Sequence, residues 1–62
     1  MNTQERERWT ALAEMELRDA VNVMENTDII EDLDPDVRES GFRIVEARME
    51  SAKAFLEKAR GN

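Results

Sequence analysis

Residues 42–59, FRIVEARMESAKAFLEKA, place their apolar side chains at Phe42, Val45, Met49, Ala52, Leu56 and Ala59. The intervals alternate between three and four residues, which keeps these positions on one face of an α-helix. Bulky residues (Phe42, Met49, Leu56) alternate with smaller ones (Val45, Ala52, Ala59) along that face. Such alternation suits packing against other helices in interlocking layers.

Working back towards the N-terminus, the beginning of this helix is written in Asp34-Pro35-Asp36. These are an N-cap, a first-turn proline and a first-turn acid. The residue before a proline avoids the α region, so Asp34 also closes whatever precedes it. Gly61 is a natural stop, with Lys58 and Arg60 at the negative end of the helix. A helix over residues 35–60 is therefore expected. Gly41 lies inside it, at a cost of about 1 kcal/mol relative to alanine. Either it permits close approach of a neighbouring backbone near the bend, or it is merely tolerated.

A second apolar face precedes the Asp34 signal. Thr10, Ala13, Leu17, Ala20, Met24 and Thr27 repeat the same spacing, and Trp9, Leu12 and Val21 widen it. Asn2, followed three residues later by Glu5, resembles a capping box. No glycine or proline interrupts Thr3 to Asn26. A first helix over residues 3–30 follows, with a break at Thr27 as the alternative, since Thr27 could cap a short separate turn.

Two long helices with a short connection make an antiparallel hairpin. Pairing about the connection sets Met24 near Phe42, Ala20 near Val45, Leu17 near Met49, Ala13 near Ala52 and Trp9 near Leu56. The expected fold class is all-α, with residues 1–62 as one hairpin domain. The seam is Ala13, Leu17, Ala20, Met24, Phe42, Val45, Met49, Ala52 and Leu56. Two helices cannot enclose such a seam. The flanks Val37, Ile44 and Phe55, together with Leu12, Val23 and Ile30, add further apolar surface. A homodimeric four-helix bundle would cover it.

Length strengthens the case for association. A chain of 62 residues is marginal alone, because it buries only about 60% of its unfolded surface. Without cysteine or histidine, disulfides and the commonest metal ligands are excluded, which leaves packing and oligomerisation. The absence of cysteine fits a cytoplasmic location. No leader is expected from the polar opening residues, and no apolar run approaches the roughly 20 residues of a membrane span.

The net charge of −6 is unevenly spread. Residues 1–33 hold three cations (Arg6, Arg8, Arg18) against nine anions, whereas residues 34–62 hold six of each. An acidic first helix should attract a basic surface and repel nucleic acid. Along the helices, Glu14 with Arg18, Glu39 with Arg43 and Glu50 with Lys53 are spaced to pair.

Chemistry is sparse. Asp32, Asp34 and Asp36 alternate as the first ligands of a calcium loop would, but Val37 occupies the position of its glycine and Arg43 that of its bidentate glutamate. A capped acidic turn is the expected structure. Nucleophilic triads need a histidine or cysteine that the chain lacks, and two glycines make no phosphate loop. Neither enzymatic activity nor a cofactor or metal site is expected. Glu16 and Arg48 lie near the apolar arcs, where they would emerge at the helix boundary or pair to fix the register.

This layout resembles that of the small Rop-type RNA-binding regulators, helical hairpins that dimerise into four-helix bundles with alternating large and small layers. The resemblance covers architecture and no residue motif. The basic outward face that it implies for RNA binding is missing from the acidic first helix. The function expected is a non-catalytic interaction module, a small acidic regulator, adaptor or inhibitor acting as a homodimer on a basic protein surface. One version mimics nucleic-acid charge. The alternatives are a Rop-like RNA-binding regulator and a structural accessory subunit of a larger complex. Candidate partner-binding residues are Glu5, Glu7, Trp9, Glu14, Arg18, Ile44 and Phe55. Trp9 serves either as an anchor or as the cap of the core.

Overall fold

The computed structural model describes residues 2–29 and 32–61. They form two helices, α1 (Thr3–Ile29) and α2 (Pro35–Ala59), packed antiparallel along their length. The hairpin is long and thin, 48 × 16 × 9 Å. There is no strand among the described residues.

Each helix begins where its local chemistry dictates. Asn2 Oδ1 accepts from the Glu5 amide at 2.7 Å, satisfying one donor left open in the first turn of α1. Asp34 has an extended ψ of 134°, as a residue before proline should, and its side chain accepts from the Asp36 amide at 2.8 Å. At the far end the Arg60 amide donates to Leu56 O and the Gly61 amide to Lys58 O. Gly61 then turns the chain at φ 89°, a left-handed conformation that glycine adopts without steric cost.

α1 does not break at Thr27. The Thr27 hydroxyl donates to Val23 O one turn back at 2.8 Å, so its polar atom is satisfied inside the helix and Thr27 is buried there. Ile30, expected near the apolar face, lies outside the described residues.

The seam is built from small side chains. Ala13, Ala20 and Thr27 of α1 face Val45, Ala52 and Ala59 of α2, and all six are buried. Each set repeats every seven residues. Small residues let two helix axes approach towards the lower end of the usual 8–10 Å range. Gly41 belongs to the same close contact. A Cβ built on it would lie 3.0 Å from Thr27 Oγ1 and 3.9 Å from Val23 Cγ1. The neighbour that needs the space is therefore a side chain rather than backbone.

The five bulky residues of the expected seam lie off its centre. Leu17, Met24, Phe42, Met49 and Leu56 remain between 42% and 53% exposed. In a helix, positions three or four residues apart differ by about 40–60° of rotation. The alanines occupy the line of contact, and the bulky residues are turned to one side of it.

Candidate interaction surfaces

The rotation of the helices sorts most of the apolar residues onto two faces of a flat molecule, leaving Met15 and Val21 exposed outside the two sets. The first face carries Leu17, Met24, Phe42, Met49 and Leu56, all strongly exposed. Near its centre and towards the chain termini, Leu17, Met49, Ala52 and Leu56 line a groove of about 410 Å³. Lys53, Glu57 and Arg60 line it too, as charged residues beside an apolar floor.

The second face is partly filled by contacts within the chain. Trp9 and Phe55 stack with ring centroids 5.9 Å apart and an interplanar angle of 24°. Lys58 Nζ lies 5.3 Å from the centroid of the Trp9 ring, within cation–π range. Midway along the hairpin, Arg48 Nη1 donates to both carboxylate oxygens of Glu16, at 3.2 and 3.3 Å. The Glu16 side chain is only 19% exposed and that of Arg48 46%. Nearer the connection, Val23, Leu33, Val37 and Ile44 help to line a shallow depression of about 300 Å³.

These contacts settle several points of register. Glu16 and Arg48 meet across the hairpin within one chain, three or four residues from the buried Ala13, Ala20, Val45 and Ala52. Trp9 stacks on Phe55 instead of on Leu56. The two α2 positions are adjacent in sequence but about 100° apart on the helix, and α2 turns Phe55 towards α1 while Leu56 looks towards the first face. Trp9 and Phe55, both candidate partner contacts, thus half-bury one another.

Of the remaining candidates, Glu7 and Glu14 line one shallow depression with Arg6, Thr10 and Ala11, whereas Ile44 lies apart from them on the other helix. Glu5, Glu7, Glu14 and Arg18 are exposed along α1, and Ile44 is exposed on α2 near the connection. Among the described residues the ion pairs are Arg48–Glu16 and Arg43–Glu39, the latter at 3.0 Å with both side chains well exposed. The spacings Glu14–Arg18 and Glu50–Lys53 do not close into ion pairs. Long solvated side chains gain only about 0.3–0.5 kcal/mol from such pairing on a helix surface.

The acidic turn is a capping structure. Asp34 uses its carboxylate on the Asp36 amide. No group of three or more acids able to hold a metal ion occurs among the described residues. Nor is any described helix long and apolar enough to cross a membrane. The exposed first face, with its groove, was legible as a set of seam positions but not as a surface, because heptad spacing does not say which of two neighbouring positions lies on the contact line. Comparison with protein-family models, curated proteins and solved structures gives no match, so the two faces stand on their own geometry.

Proposed function

We propose that this chain is a non-catalytic interaction module that works as a homodimer, a small acidic helical regulator, adaptor or inhibitor. The observation that carries this reading is the first face. Leu17, Met24, Phe42, Met49 and Leu56 stand exposed in a row while alanines fill the seam. A lone hairpin that leaves these five large apolar residues about half exposed gains little from their burial, and about 25 cal/mol per Å² of apolar area awaits a covering surface. A second copy stacked on this face gives a four-helix bundle with alternating large and small layers.

The bundle then presents charge outwards. Each copy contributes −6, and its N-terminal half, residues 1–33, contains nine of the 15 anions. A rigid acidic rod attracts a basic protein surface from a distance, and the attraction weakens with salt. One form of this activity is occupation of a nucleic-acid-binding groove by carboxylates standing in for phosphates. We place such a module in the cytoplasm, where disulfides are rare and a fold without cysteine forgoes nothing.

Two measurements test the proposal. Light scattering across a dilution series should give the mass of two chains at high concentration, and a mass of one chain throughout would refute the homodimer. The protein should also displace fluorescent duplex DNA from a basic DNA-binding protein at low salt and fail at high salt, without binding the duplex itself. Displacement insensitive to salt would refute the acidic mechanism.

A further inference from the structure

Resting on the homodimer proposed above, we infer that the two hairpins stack antiparallel, with their connections at opposite ends and Phe42 of each copy seated in the groove of the other. The first argument is layer volume. Along the first face, Met24 and Phe42 stand nearest the connection, Leu17 and Met49 in the middle, and Thr10 and Leu56 nearest the termini. The middle is marked by Glu16–Arg48, which bridges the opposite side of the hairpin at the same level. Thr10 is small and bends back to donate its hydroxyl to Arg6 O at 2.8 Å, so the terminal layer is thin. The groove lined by Leu17, Met49, Ala52 and Leu56 lies towards this end.

An antiparallel dyad through the middle layer sets the thick layer of one copy on the thin layer of the other. Phe42, 44% exposed in the hairpin, then meets the groove beside Leu56. Leu17 and Met49 meet their own copies. A parallel dyad instead crowds Phe42 and Met24 against their copies at one end and leaves two grooves facing each other at the other. Close-packed interiors tolerate neither the excess nor the void.

Charge points the same way. Residues 18–46, from the middle of α1 through the connection to the middle of α2, carry three cations and nine anions, and the rest of the chain carries six of each. A parallel dimer lays one −6 half on the other, whereas an antiparallel dimer lays each on a neutral half. The rim of α2 repeats this polarity in outline, with Glu46 and the Arg43-paired Glu39 towards the connection and Lys53 and Arg60, beside Glu57, towards the terminus. In the antiparallel stack α2 runs beside its own copy about Met49, so Glu46 faces Lys53 and Glu39 faces Arg60 of the second chain. In the parallel stack α2 runs beside α1 of the second chain, and Glu46 faces Val21.

The chain has no cysteine, so a nitroxide label on Asp32→Cys, an exposed turn position, reports the arrangement by pulsed electron resonance. The antiparallel dimer should give a distance approaching the 48 Å length of the hairpin. A distance within the width of two helices, about 20 Å, would overturn the antiparallel arrangement and leave the homodimer standing. A monomeric mass would overturn the homodimer itself. As an independent arm, Glu46→Lys and Lys53→Glu should each weaken dimerisation by roughly tenfold, since each change strikes two symmetric contacts. The double variant should recover most of that loss. Failure to recover would overturn the rim pairing.

Discussion

A Cβ at position 41 would stand 3.0 Å from the Thr27 hydroxyl, and that hydroxyl is already committed to Val23 O. Glycine in mid-helix costs about 1 kcal/mol relative to alanine, so Gly41→Ala would ordinarily stabilise α2. Here the new methyl group pushes Oγ1 away from its acceptor. The two effects should roughly cancel, or the variant should lose stability. In a Thr27→Ala background the obstruction is gone, and Gly41→Ala should stabilise by about 0.5–1 kcal/mol. Chemical denaturation of the four proteins of this cycle checks the coupling, and strictly additive changes would mean that the contact does not restrict the helices. Glu16 and Arg48 offer a second residue-scale measurement. One guanidinium nitrogen serves both carboxylate oxygens at 3.2–3.3 Å, without the two-nitrogen fork of the strongest pairs. Their double-mutant cycle should give a coupling of about 0.5–1 kcal/mol, weakening as salt is added.

At the scale of the helices, the seam consists of alanines, one valine and one threonine, and it admits no larger side chain without moving an axis. Ala52 is 2% exposed at its centre. Ala52→Leu should destabilise the hairpin by about 1–3 kcal/mol through overpacking, measured as a shift in denaturation midpoint with unchanged slope. A neutral result would mean that α2 can rotate to present another residue. Both helices were legible in the sequence, because their signals are local. Asn2, Asp34-Pro35 and Gly61 mark ends by rules that involve only neighbouring residues. The interior of α1 was ambiguous at Thr27 for the opposite reason. A threonine hydroxyl can cap a new turn or bond back into an old one, and the difference lies in the backbone it finds itself in. Helix rotation was the least legible property. The spacing Phe42, Val45, Met49, Ala52 assigns both members of each pair to the seam, yet only the smaller ones reach its centre. The same rotation turned Trp9 towards Phe55 rather than Leu56.

For the whole molecule the consequence is a hairpin with a thin centre and a bulky, wet side. No large side chain among the described residues is fully buried, and burial of alanines alone contributes little against an ordering cost of about 1–2 kcal/mol per residue. The sequence showed how many apolar residues needed cover, but which of them face outwards follows from rotation alone. If a second copy supplies the cover, stability and association are one equilibrium, and the melting temperature must rise with protein concentration. Met49 is the residue on which to test this. It is 53% exposed in the hairpin, so Met49→Lys should cost an isolated hairpin no more than about 0.5 kcal/mol, as surface substitutions do. In the dimer it stands in the middle layer, and two buried ammonium groups without partners would break the interface. Circular dichroism melts over a wide concentration range should therefore show a concentration-dependent midpoint for the parent chain. For Met49→Lys they should show a lower midpoint that does not move with concentration, together with a monomeric mass. If both proteins melted alike at every concentration, the exposed row would be tolerated rather than covered, and the hairpin would have to draw its stability from the alanine seam alone.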